Sequence, residues 1–223
     1  MMENDAVFTL PDSRLDLLRE SWMDLTGIYR APQEASRIYE ELTTLYASPD
    51  RAYHNLSHID WLLEEARGFQ ASLRHYDAVR MAIWFHDAIY ETSRSDNEER
   101  SADLAERSLA ALGAEAETAT LVRAMIVATN AHTADKLPED GRLFLDLDLS
   151  ILGSDEAVYN KYARAIRKEY AWVPSLIYKR KRRKVLESLL DRKRIFFTDA
   201  VFEARESLAR RNIGQELSKL RGI

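Results

Sequence analysis

Apolar side chains recur along this chain every three or four residues and rarely every second one, which is the period of a helix with one buried face. Leu15, Leu18, Trp22 and Leu25 form the first stripe, opened by Pro11-Asp12 and closed by Gly27. Pro32 starts a second, through Ile38, Leu42 and Leu45 to the break at Ser48-Pro49-Asp50. Ile59, Leu62, Leu63, Ala66 and Phe69 make a third, on which His54 and His58 are expected to share a face. Val79, Ile83, His86 and Tyr90 line up on a fourth, which places His86-Asp87 inside the apolar helical run IWFHDAIY. A polar loop then leads into a helix ending near Gly113, and Glu115–Thr129 is a further helix. After a loop over 130–141, LFLDLDLSILG packs its leucines densely and stops at Gly153. Ser154-Asp155-Glu156, Pro174 and Thr198-Asp199 open the remaining helices. The pattern predicts a single all-α domain over residues 1–223, with a helical C-terminal part at 154–223 and no repeat or linker.

Composition narrows the chemistry. The 223 residues are 46% hydrophobic and 31% charged, enough to bury a core. Seven glycines and five prolines are few for a turn-rich β fold. A net charge of −5 makes nucleic acid an unsuitable main partner. With no cysteine, disulfides and thiolate ligands are excluded, and any metal must take nitrogen and oxygen donors. The N-terminal MMENDAVFTL has neither the basic flank nor the apolar stretch of a signal peptide, and no run reaches membrane-spanning length. A cytoplasmic protein without a membrane partner is expected.

The candidate chemistry centres on His86-Asp87. Removing water from a carboxylate costs several kcal/mol, so a His-Asp pair in apolar surroundings is either hydrogen-bonded within the core or bound to a cation. Downstream, Leu145, Asp148, Leu149 and Leu152 form one stripe, so Asp148 points where the leucines point and needs a counter-charge. Asp146 aligns instead with Ser150 and Gly153 and is expected to stay wet.

The order His58, His86-Asp87, Asp148 resembles the HD superfamily of metal-dependent phosphohydrolases. YHNLSH at 53–58 and DLS at 148–150 are also similar to motifs of class I cyclic-nucleotide phosphodiesterases. RAYHNLSHI, FHDAIY, DNEERSA, FLDLDLSILG and IRKEYAWVP together resemble a bacterial group of predicted HD phosphohydrolases, over nearly the whole chain. The resemblance implies an HD-type helical bundle whose metal site is built from residues 54–148. It makes His58, His86, Asp87 and Asp148 the ligands of one or two divalent ions, with Asp87 bridging a second ion. Manganese, iron, nickel, cobalt, zinc and magnesium all suit such donors. It also implies hydrolysis of a phosphate ester, mono- or diester, in a small nucleotide-like molecule. A diiron oxygenase and a non-enzymatic binding module are the alternatives.

Other positions carry weaker expectations. His54 resembles the phosphodiesterase histidine that protonates the leaving oxygen, and Glu98 in DNEERSA competes for that role. His132 is a candidate for substrate phosphate or a second metal. Arg182 sits in line with Val185, Leu186 and Leu189, so it wants an anion, from the protein or from a substrate. Arg167 is a further candidate of the same kind. The rest of YKRKRRK at 178–184 reads as a solvated helix face.

Overall fold

The computed structural model describes residues 8–222, and among them ten α-helices and two short 3-10 turns form the fold, with no strand. The helices are α1 (Asp12–Gly27), α2 (Pro32–Tyr46), α3 (Leu56–Gly68), α4 (Tyr76–Phe85) and α5 (Asn97–Leu112). They continue with α6 (Ala116–Ala128), α7 (Glu139–Asp148), α8 (Glu156–Glu169), α9 (Ser175–Leu190) and α10 (Asp199–Arg221). The 3-10 turns are Gln70–Ser72 and Leu149–Gly153. The all-α expectation is met. No described helix is long and apolar enough to cross a membrane.

α4 is the axis of the molecule. Every residue from Ala78 to Phe85 is buried, so this helix is enclosed on all sides, as a helix apolar around its circumference must be. α3, α5, α6 and α7 pack around it. α1 and α2 close one end: Trp22 meets both Trp84 and Phe85 edge-on, and the Tyr46 hydroxyl donates to the Trp84 carbonyl at 3.0 Å. Arg80, the one charged residue of the buried run, reaches Asp24 and Asp77 at the surface. Gly113 ends α5 in the left-handed conformation, φ 80°, which frees the Ala114 amide to bond the Leu109 carbonyl at 2.9 Å.

The C-terminal helices pack on the 3-10 turn that follows α7. A Cβ at Gly153 would stand 2.5 Å from the Arg205 Cβ and 2.9 Å from its carbonyl oxygen, so only glycine lets α10 lie this close. Asn212 donates to the Leu152 and Ser154 carbonyls and fixes the same contact.

Three local expectations need correction. The helix carrying Val79 and Ile83 does not run on to Tyr90: it ends at Phe85, His86 caps it, and Asp87 lies in the turn beyond. The cause is tertiary, since Arg51 takes the Asp87 and Ala88 carbonyls at 2.6 and 2.8 Å. His54 does not share a helical face with His58, because α3 begins at Leu56, capped by the Asn55 side chain on the Ser57 amide. Asp146 is not wet. It is fully buried and accepts from the Phe197 and Thr198 amides at 2.7 Å each, anchoring the segment that enters α10.

Candidate metal centre

Three separate helix ends deliver the donors. His58 stands in the first turn of α3, His86 at the C-terminal cap of α4, and Asp148 at the last position of α7. Helix ends suit this job because the chain there leaves regular geometry and can aim successive side chains at one point. Arg51, itself buried, holds two of these ends together through the His54 carbonyl at 3.2 Å and the Asp87 carbonyl at 2.6 Å.

The ligand atoms of His58, His86 and Asp148 all lie within 4.8 Å of one another. The two Nε2 atoms are 3.2 Å apart, and Asp148 Oδ1 is 3.4 Å from His58 Nε2 and 3.5 Å from His86 Nε2. Asp87 Oδ2 stands 3.0 Å from His86 Nε2 and 3.8 Å from His58 Nε2. Donors about 2.1 Å from a shared ion, at right or tetrahedral angles, are separated by roughly 3.0–3.4 Å. The observed spacings are close to these, and the donors fit a divalent ion.

Hydrogen bonding and charge point the same way. His86 Nδ1 faces the Ile83 carbonyl at 2.9 Å, and a carbonyl can only accept, so the proton belongs on Nδ1 and the free lone pair on Nε2. Burial opposes charge on His86, yet Asp87 and Asp148 outweigh it and hold its pKa well above the ordinary value. Burial likewise opposes ionisation of both carboxylates, but for Asp87 the imidazoles of His86 and His54 win. For Asp148 the hydrogen bonds from His132, His58 and His86 win, and both carboxyls stay below the usual range. His58 is the exception, since burial pushes its pKa down. The pocket therefore demands positive charge between two carboxylates, and a proton on His86 is one way to supply it. A divalent ion on the Nε2 lone pairs is the other. His58 turns Nε2 to the cluster, while its buried Nδ1 has no hydrogen-bond partner among the described residues, unlike His86 Nδ1.

A cavity of about 540 Å³ opens from Asp87 and Asp148 toward the surface. His54, Asp87, Glu98, His132 and Asp148 line it, with an aromatic wall that includes Tyr90, Tyr162, Tyr170 and Trp172. His54 is positioned by a residue absent from the sequence expectations, Glu169 at the end of α8. Its Oε2 lies 2.7 Å from His54 Nδ1, and Oε1 accepts from the Tyr53 and His54 amides at 2.7 and 2.9 Å. The Tyr90 hydroxyl donates to the same carboxylate at 2.9 Å. Burial opposes charge on His54, but Glu169 and Asp87 raise its pKa above the ordinary value. Glu169 was findable: it follows Tyr162 and Ile166 by seven and three residues, on the apolar stripe, as Asp148 does on its own.

The remaining candidates separate cleanly. His132 reaches the centre, with Nε2 at 2.9 Å from Asp148 Oδ2, and its backbone is in the left-handed region at φ 45°. Arg192 holds it there through the Ala131 and His132 carbonyls, 3.0 Å each. Glu98 lines the cavity from the first turn of α5, with no hydrogen-bond partner among the described residues. Arg182 lines the cavity too, but its anion is Glu216, at 2.9 and 3.1 Å. Arg167 lies outside the cavity and is not placed to bind a substrate there, because its guanidinium is taken up by the Tyr170 and Val173 carbonyls at 2.6 and 3.2 Å. The converging donors all lie within the 54–148 segment, and the C-terminal part adds Tyr162 and Arg182 to the cavity wall and Glu169 behind His54. Comparisons with protein-family models, curated proteins and solved structures find no match to this chain.

Proposed function

We propose that this chain is a metal-dependent phosphohydrolase of the HD type, acting on a phosphate ester of a small, nucleotide-like molecule. The observation that carries the reading is the convergence of His58, His86 and Asp148, with Asp87 beside them, at the spacing of ligands around one ion. These four residues would hold one or two divalent ions. Bound there, such an ion supplies a Lewis acid for the phosphoryl oxygens and lowers the pKa of a water.

The chain's own residues account for the rest of the chemistry. His54 keeps a proton because Glu169 faces its Nδ1, which leaves Nε2 directed at the cavity side, 3.9 Å from Asp87 Oδ2. An imidazolium in that position can pass its proton to a departing alkoxide oxygen. Glu169 in turn is fixed by two backbone amides and the Tyr90 hydroxyl, so the acid is oriented before substrate arrives. Glu98, whose direction nothing fixes, is less suited to the task. The tyrosines and Trp172 along the cavity wall give a planar organic group an apolar surface and exclude water from the reacting end.

The test is turnover. Wild type reconstituted with manganese, and Asp87→Ala with its fold checked by circular dichroism, are assayed on p-nitrophenyl phosphate and bis(p-nitrophenyl) phosphate, then on nucleotides. Metal-dependent hydrolysis that a chelator removes, and that falls on the order of 10³-fold in the variant, supports the reading. A folded, metal-loaded chain that hydrolyses none of these esters would overturn it. Bound iron with an oxygen-dependent spectrum would favour the oxygenase alternative.

A further inference from the structure

Of the six large apolar side chains that stand exposed among the described residues, three lie at the start of α9 or just before it and a fourth, Val185, further along the same helix. They are Trp172 at 62% exposure, Leu176 at 79%, Ile177 at 48% and Val185 at 52%. The same stretch is one-signed: from Tyr170 to Leu186 there is no aspartate or glutamate, and six cations follow one another at 179–184. Two of those are answered, Arg182 by Glu216 and Arg183 by Glu187. Lys179, Arg180, Lys181 and Lys184 have no carboxylate partner among the described residues. At 100° per residue, Leu176, Ile177, Arg180 and Lys184 share the outward face of α9, opposite the buried Leu186 and Leu189, while Lys181 and Val185 border it on the cavity side.

From this face we infer that α9 and the turn before it dock on an anionic lipid surface. The occupant must be anionic, because unpaired cations crowd the patch while the whole chain carries −5. A symmetric contact with a second copy would set the run against itself, cation to cation. A nucleic acid would satisfy the charges but leave Leu176 and Ile177 with nothing to bury against. A bilayer interface takes both: headgroup phosphates for lysine and arginine, the acyl boundary for leucine and isoleucine, and the interfacial layer for the Trp172 indole. No spanning segment is involved, so the absence of a membrane-length helix among the described residues is compatible with such contact. Trp172, Lys181 and Val185 also line the cavity, so docking would turn its mouth toward the lipid, though the inference stands on the surface alone and not on any catalytic reading.

Vesicle co-sedimentation of the full chain tests it, with phosphatidylcholine–phosphatidylserine vesicles against phosphatidylcholine alone, at low and high salt. The expected result is binding to the anionic vesicles only, weakened by salt. It should fall at least about tenfold in Arg180→Glu/Lys184→Glu and severalfold in Leu176→Ser/Ile177→Ser. All of these side chains are exposed, and circular dichroism checks the folding of each variant. No binding to anionic vesicles would overturn the inference. So would binding that the apolar substitutions leave unchanged while single-stranded oligonucleotide binds equally well, which assigns the run to a polyanion. A sedimentation coefficient that drops in Leu176→Ser/Ile177→Ser without vesicles would also overturn it, in favour of self-association.

Discussion

Two buried charged clusters face the same cavity, and they differ in one respect. Around Arg182 every charge is answered within the chain: Glu216 takes two guanidinium nitrogens, and the Tyr159 hydroxyl donates to the same carboxylate at 2.6 Å. Around His86 the groups converge without completing one another. Two imidazole Nε2 atoms face each other at 3.2 Å, and two carboxylates crowd them with no cation from the described residues beside them other than the histidines. A closed cluster is structure, because a ligand can add nothing to it. An open cluster of the same burial and charge is costly unless something completes it, and its cost is the reason to read it as a site.

The comparison can be broken from either side. The largest effect is expected at the open cluster. Asp148→Asn keeps the shape and removes the charge, and metal affinity should fall on the order of 10³-fold, with activity following, while the helical fold persists. Metal titration followed by circular dichroism checks both halves. At the closed cluster the pattern inverts. Glu216→Ala strands Arg182 in the interior and should destabilise the protein by about 3 kcal/mol, read from denaturant unfolding, while manganese content stays the same. The double change Arg182→Met/Glu216→Leu should recover most of that loss, since a buried ion pair and an apolar pair of similar volume are close in stability.

Between the two clusters lies Glu169, which completes His54 but touches no metal ligand. Glu169→Gln is expected to lower turnover about 10- to 100-fold with metal content unchanged. The sign of its pH effect follows from charge. The carboxylate raises the His54 pKa, so removing it lowers that pKa, and the alkaline limb of the rate profile moves to lower pH. A limb that stays in place would show that His54 is not the acid. The smallest effect is expected at His132. Replacing it with glycine relieves a left-handed residue, which offsets part of the cost of the lost hydrogen bond to Asp148, and should weaken metal binding about tenfold, read by metal titration.

Much of this was legible in the sequence, and each failure has a physical cause. Helical period located the helices, because each one except α4 keeps a wet face for the pattern to show. Asp148 stood out as a carboxylate on an apolar stripe. The same reasoning misjudged Asp146, because the face it shares with the exposed Arg142 is covered one turn later by the Phe197–Thr198 segment, whose amides it binds. It overlooked Glu169, which sits on a stripe of its own. The end of α4 was hidden for a different reason. Tyr90 continues the period by coincidence, while the helix is stopped by Arg51, thirty-six residues from the carbonyl it captures at Asp87. Long-range capture of backbone carbonyls leaves no periodic trace. Arg182 showed the limit of the inward-charge argument: it identifies that an anion is needed and says nothing about whose.

The most direct test of the contrast between open and closed clusters is the metal content of the purified, tag-free chain after equilibration with manganese and exhaustive dialysis. Wild type and Glu216→Ala should both retain about one or two equivalents, with a raised Tm in each, and Asp148→Asn should retain none. Wild type that keeps no manganese, nickel or zinc, and shows no change in Tm on adding them, would contradict the account. The cluster at His86 would then be a buried hydrogen-bonded core and nothing more.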